Sequence, residues 1–92
     1  MEFYIVFEHE RDELPLEEGS YVSDMGIFAM DQEDKMLDCL AVWAKTRMRD
    51  YDETATSMEA CYSVFRGKVG CPKETWKHVS INFVPSVICT LA

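Results

Sequence analysis

Two apolar segments near the start of the chain have the pattern of β-strands. Residues 3–7 form a continuous aromatic and β-branched run, which is typical of a buried strand. Residues 21–22 and 26–30 predict a second extended element, with a turn or bulge at 24–26. The polar residues 9–20 between them include a proline and a glycine, which predicts a loop.

Two segments in the middle of the chain have helical spacing. Asp31 is placed to cap the first, and acidic residues follow in its first turn, where the helix dipole favours negative charge. Its apolar face, at i, i+3, i+4 spacing, consists of Met36, Leu37, Leu40, Trp43, Ala44 and Met48. In the second, Thr56 and Glu59 match a capping box. The apolar face predicted for this second helix consists of Met58, Cys61, Tyr62, Phe65 and Val69.

From Trp76 onward the apolar period changes to two. Val79, Ile81 and Phe83 alternate with His78, Ser80 and Asn82. This alternation predicts a strand with one buried and one wet face. A proline at position 85 ends it, and residues 87–91 predict either a hairpin partner or a continuation past a kink.

These elements predict one α+β domain covering residues 1–92, because so short a chain has no room for a second core. The expected fold is a small antiparallel sheet of three or four strands with two helices packed on one face, in the order ββααβ(β). The first and last strands are expected to be neighbours.

Composition supports a packed core, since 48% of the residues are hydrophobic and 12% aromatic despite a net charge of −8. No apolar run approaches the roughly 20 residues that span a bilayer. The first residues lack the basic stretch of a secretory signal. We therefore expect a cytoplasmic protein without membrane contact.

Four cysteines, Cys39, Cys61, Cys71 and Cys89, are spread along the chain without a C-x-x-C pair. Free thiols buried in the core are the favoured interpretation, because free cysteine packs as a small hydrophobic residue. Two disulfides, or a zinc site, are the alternatives that the spacing leaves open.

Acidic residues are concentrated near the start of the chain. Residues 1–34 contain eleven acids and one base, Arg11, whereas the remainder carries a net charge of +2. The acids predicted to form a partner-binding surface are Glu8, Glu10, Asp12, Glu13, Glu17, Glu18 and Asp24. Such a surface steers association with a basic partner and repels nucleic acid and anionic membranes. The same acids also suit a solvated loop that keeps a small protein in solution.

Catalytic signatures are missing from the sequence. It contains no P-loop, no G-x-G-x-x-G and no G-x-S-x-G, and residues 9–13 lack the paired histidines of a zinc enzyme. Cys61 or Cys71 could pair with His78 as a thiol and imidazole, but the alternation places His78 on the wet face of its strand. We expect neither enzyme activity nor a cofactor or metal.

The expected function is that of a non-catalytic inhibitor or antagonist, of the type that phages and mobile elements direct against CRISPR effectors. It would dock an acidic face on the basic surface of a nucleic-acid-handling protein. A toxin-neutralising immunity protein is the first alternative, and a small thiol- or metal-dependent enzyme the second. The apolar helix faces and an open sheet edge leave a homodimer open as well.

Overall fold

A four-stranded antiparallel sheet, one long helix and a separate two-stranded sheet make up most of the structure. The computed structural model describes residues 1–10, 22–68, 70–83 and 89–92. The strands are β1 (Glu2–His9), β2 (Val22–Ala29), β3 (Tyr62–Lys68), β4 (Lys77–Val79), β5 (Ile81–Phe83) and β6 (Cys89–Leu91). The helices are α1 (Glu33–Tyr51) and the single turn α2 (Ala55–Met58), with 3-10 turns at Met30–Gln32 and Lys73–Thr75.

Strand β1 lies inside the larger sheet, whose order is β2-β1-β3-β4. Its apolar run is buried on both faces, as the sequence predicts. The predicted irregularity in β2 is confirmed as a bulge. Val6 pairs with Gly26 and Phe7 with Asp24, so one residue of β2 has no partner in the register.

Helix α1 confirms the first helical prediction and packs on one face of this sheet. Its buried stripe consists of Met36, Leu40, Ala44 and Arg47, the first three of which join Val6 and Val64 in the main core. Asp31 lies in the 3-10 turn before the helix and does not cap it. The helix ends at Asp52, which is left-handed (φ 53°) and whose amide donates to the Met48 carbonyl.

The prediction of a second helix on the sheet is wrong, and with it the order ββααβ(β). Only the turn Ala55–Met58 is helical, and the residues after it form β3, which pairs antiparallel with β1. Tyr62 and Val64 lie in the core under α1, whereas Phe65 lies in a second cluster on the opposite face. Because both faces of β3 are buried, its sequence lacks alternation, and its apolar residues match helical spacing by coincidence.

The last part of the chain forms a hairpin. The alternation in burial after Trp76 is confirmed, since Ile81 and Phe83 are buried while His78 and Asn82 are exposed. The prediction of one strand is wrong, because β4 belongs to the larger sheet and β5 to the two-stranded sheet. Strand β6 pairs antiparallel with β5, which confirms the hairpin alternative. The expectation that the first and last strands are neighbours is wrong, because β1 lies between β2 and β3.

The sheet face opposite α1 carries a small aromatic cluster. Phe7 meets Phe65 edge-on at 5.8 Å between ring centroids and stacks with Trp76 at 6.5 Å. The indole of Trp76 lies across Gly67 and donates from Nε1 to the Lys68 carbonyl at 3.3 Å. A Cβ atom at position 67 would lie 2.2 Å from Cδ1 of Trp76, so this packing requires glycine.

Candidate functional site

Glu8, the first residue of the predicted acidic surface, bonds to two other side chains of the protein. Tyr62 donates its hydroxyl to Oε2 of Glu8 at 2.6 Å, and Oε1 lies 3.4 Å from Nη1 of Arg47. The position follows from the sheet register, in which Glu8 pairs with Tyr62 at one end of β1. The carboxylate of Glu8 is therefore engaged by Tyr62 and Arg47 within the protein, which makes it less available to a partner.

Arg47 is the centre of this charged cluster. The side chain is only 9% exposed and also contacts Glu53 (3.3 Å) and Glu10 (3.5 Å). Its guanidinium lies 5.7 Å from the centroid of the Tyr51 ring, within range of a cation–π contact. A buried guanidinium needs such partners, because an uncompensated charge in the interior is costly. We call Arg47, Glu8, Glu10 and Glu53 the Arg47 cluster.

The other predicted site residues are placed only in part. Glu10 is 73% exposed, so its carboxylate remains open to solvent although it touches Arg47. Asp24 is described by its backbone alone, which pairs with Phe7. Asp12, Glu13, Glu17 and Glu18 lie outside the described residues.

A second group of acids lies along the outer side of α1 and the turn before it. Asp34 and Asp38 are exposed, and their four-residue spacing places them on one face of α1, while exposed Asp31 lies in the 3-10 turn just before the helix. Within the described part of the chain, no lysine or arginine lies within ion-pair distance of these three carboxylates. We call them the α1 acidic stripe. From the sequence, Asp31 is predicted as a helix cap and Asp34 as an acid of the first turn, and a surface shared with Asp38 is not predicted.

His9 and Ser63 form a buried pair that the sequence did not predict. His9 Nε2 lies 2.7 Å from Ser63 Oγ, and Nδ1 lies 2.8 Å from the Glu10 carbonyl. A ring that donates from Nδ1 to the carbonyl accepts the serine hydroxyl at Nε2. Both residues are less than a tenth exposed and lie on strands within the sheet, so the pair satisfies buried polar groups without offering a nucleophile to solvent. The predicted loop begins at His9, whereas strand β1 extends through this residue.

A basic cleft lies at the other end of β1. It has a volume of about 300 Å³ and is lined by Glu2, Arg66, Gly67, Lys68, Cys71, Pro72, Thr75 and Lys77. Arg66 Nε donates to Glu2 Oε2 at 2.7 Å. This bond and the charge of Arg66, with smaller contributions from Lys68 and Lys77, hold the pKa of Glu2 below its usual value. The sequence does not predict this cleft, because Glu2 is distant along the chain from Arg66, Lys68 and Lys77.

Two findings bear on the alternative of a thiol- or metal-dependent enzyme. Among the described residues, no three His, Cys, Asp or Glu side chains are grouped closely enough to hold a metal ion. His78 packs edge-on against Phe65, with 5.5 Å between ring centroids.

No helix in the described part of the chain has the length and apolar character needed to cross a membrane.

Comparison of the chain with protein-family models, curated proteins and solved structures found no match in any of the three.

The cysteines differ in burial, which corrects the expectation that all four are core thiols. Cys61 and Cys89 are buried, Cys39 is half-buried and Cys71 is exposed in the basic cleft. Burial, together with the charge of Glu59, raises the pKa of Cys89 to about 12. We expect an alkylating reagent to label native Cys71 first and Cys89 only after denaturation, since the thiolate is the reactive form. Mass spectrometry of the labelled peptides would measure this order, and rapid native labelling of Cys89 would contradict it.

The Tyr62–Glu8 hydrogen bond predicts sensitivity to alkaline pH. Burial and this bond raise the pKa of Tyr62 far above its usual value. Because the folded protein favours the neutral phenol, this stabilisation is present below pH ~10 and is lost as the pH rises above it. Above pH ~10, we expect Tyr62→Phe to reduce the fall in unfolding free energy by up to about 1.4 kcal/mol per pH unit. Urea unfolding at several alkaline pH values would measure both slopes, and identical slopes would exclude this role of Tyr62.

Proposed function

We propose that the chain is a non-catalytic binding protein, an inhibitor or antagonist that docks an acidic surface on the basic surface of a nucleic-acid-handling protein. The observation that carries this proposal is the charge asymmetry, with eleven acids and one base in residues 1–34. Proteins that handle nucleic acid expose basic channels, and CRISPR effectors are one such class. The proposed place of action is the cytoplasm, where phage and mobile-element inhibitors of this type meet their targets.

The α1 acidic stripe gives the proposal its sharpest structural support. Asp34 and Asp38 lie on one face of α1 and Asp31 lies in the turn before it. All three are exposed and have no cation within ion-pair distance among the described residues. Unpaired carboxylates at the surface maintain a negative potential that steers a basic partner toward them. Glu10 supports the same interpretation less strongly, because the charge of its carboxylate is partly neutralised by Arg47.

A cleavage assay with a defined panel tests this function. The panel would contain guide-loaded CRISPR effectors and, as a second arm for the immunity-protein alternative, basic nuclease toxins. We expect the chain to inhibit DNA cleavage by at least one panel member at stoichiometric concentration and to slow its association with DNA. Inhibition confined to the toxin arm would favour the immunity protein. A lack of effect on every member would contradict the proposal.

A pair of charge variants on and beside the same helix separates acidic docking from other modes of binding. In the triple variant D31N/D34N/D38N, the association rate with the partner is expected to fall and to depend less on salt, because steering acts before contact. In the control K35Q/K45Q, which changes exposed residues of the same helix, the rate should not fall. An unchanged association rate in the triple variant would exclude the stripe as the docking surface.

The same charge distribution predicts that the chain does not bind duplex DNA by itself. Phosphates of the duplex would meet a protein with a net charge of −8, and binding to DNA depends on releasing counterions from those phosphates. We expect no gel shift of DNA at physiological salt. Tight binding in this assay would contradict the proposed role of the acidic residues.

A further inference from the structure

The basic cleft has a charge arrangement that the sheet alone does not explain. In the pairing of β3 with β4, Arg66 lies directly opposite Lys77, and like charges in this position destabilise a strand pair. In the pairing of β1 with β3, Lys68 lies directly opposite Glu2. Three cations and one carboxylate therefore line one cleft, in a protein that is acidic as a whole.

The carboxylate of Glu2 neutralises only part of this charge. Within the described part of the chain, it forms an ion pair only with Nε of Arg66, whose guanidinium has further N–H donors. Among the described residues, no carboxylate lies within ion-pair distance of the ammonium group of Lys68 or Lys77. The cleft thus keeps two unpaired ammonium groups beside a guanidinium that can still donate, and this set of donors suits an anion with several oxygens.

We propose that this cleft binds a phosphate group of a small molecule, held by Lys68, Lys77 and the free donors of Arg66. The volume of about 300 Å³ lies at the lower end of the range for small-molecule sites. A duplex would also bring its charge close to the acids elsewhere on the protein, whereas a small anion meets mainly the local potential. Charges more than about 10 Å away are largely screened at physiological salt. The cleft is therefore selective for small anions over nucleic acid.

Glu2 sets the affinity of this site. Its carboxylate competes with the incoming phosphate for Arg66, so its removal should favour binding. The exposed ammonium groups of Lys68 and Lys77 do not contribute to the core, which allows them to be changed without loss of the fold. These two properties provide variants with opposite expected effects on one site.

The test is a titration of the full chain with inorganic phosphate, AMP or citrate. Binding is measured by the changes in amide chemical shift in solution NMR. We expect saturable shifts at 66–68, 71 and 75–77 with phosphate or AMP. The variant K68Q/K77Q should weaken binding by at least about tenfold, and Glu2→Gln should strengthen it. The double variant K35Q/K45Q has the same loss of charge elsewhere and should bind as the unmodified chain does.

The probes also distinguish the source of the phosphate. Tighter binding of AMP than of inorganic phosphate would identify the ligand of the cleft as a phosphate ester. Equal binding of the two would identify it as free phosphate. The absence of saturable shifts with both, or shifts unchanged in K68Q/K77Q, would overturn the site. Citrate binding as tightly as AMP and phosphate would overturn the assignment to phosphate. Because D31N/D34N/D38N leaves this cleft intact, failure here is distinguishable from failure of the proposed docking function.

Discussion

Replacing Arg47 with methionine is expected to lower the free energy of unfolding by about 2–3 kcal/mol. The substitution keeps an apolar side chain in the space of the stem but leaves Glu8 and Glu53 close together without their shared cation. Breaking a buried ion pair from one side costs about 3–5 kcal/mol, and the partial exposure of these carboxylates lowers that figure. In a domain of this size, the loss corresponds to a melting temperature lower by roughly 10–20 °C.

Arg49→Met is the matched control for this experiment. Arg49 lies on the same helix, carries the same charge and also has an acidic partner, Asp50, but its side chain is 77% exposed. Exposed pairs contribute about 0–1 kcal/mol, so the control should unfold almost as the unmodified chain does. Chemical denaturation of both variants would give the comparison. Equal losses would show that Arg47 contributes no more than an exposed surface charge.

Replacing Gly67 with alanine is expected to destabilise the protein by about 2–3 kcal/mol. The new Cβ atom would lie 2.2 Å from Cδ1 and 2.7 Å from Cγ of Trp76. These atoms are at the base of the indole, so the whole ring must move and its stacking on Phe7 is lost. Added volume in a well-packed cluster costs about 1–3 kcal/mol, and the extent of this overlap places the variant near the upper end. A change in tryptophan fluorescence should accompany the loss.

A double-mutant cycle separates this steric cost from the intrinsic effect of alanine. In a Trp76→Ala background the Cβ atom meets no indole, so Gly67→Ala should cost little or become stabilising through the strand preference for alanine over glycine. The interaction free energy in the cycle should therefore approach the full cost of the single substitution. A cost that is the same in both backgrounds would exclude the ring as its cause.

The sequence predicted helix α1 and the terminal alternation, whose burial is one-sided, and it predicted β1 from its continuous apolar run, but it assigned the doubly buried β3 to a helix. Helix α1 and the alternation of Val79, Ile81 and Phe83 are read directly from their periods, because one face of each is wet. In β3 the residues Tyr62 and Phe65 point to opposite buried faces, and a period of two leaves no mark in the sequence. The wrongly predicted second helix follows from this one segment, whereas the separate two-stranded sheet was missed because the alternation in burial continues across the break between β4 and β5.

The candidate sites show the same division between local and distant information. The acids at Glu8 and Glu10 were identified from sequence, but the engagement of Glu8 with Arg47 and Tyr62 depends on residues 39 and 54 positions away. The basic cleft likewise needs the strand register to bring Glu2 beside Lys68. Only the α1 acidic stripe could have been found from spacing alone.

The position of β1 between β2 and β3 has a consequence for how the chain folds. Strand β1 is synthesised before β3, yet Glu2 pairs with Lys68, so one edge of β1 stays unpaired until residues more than 60 positions later are made. Closing so long a loop costs entropy before any contact offsets it, which slows folding relative to a domain of local contacts. Until β3 pairs with it, this edge of the aromatic strand β1 can pair with other chains instead. Because such pairing leads to aggregation, the refolding yield should fall as protein concentration rises.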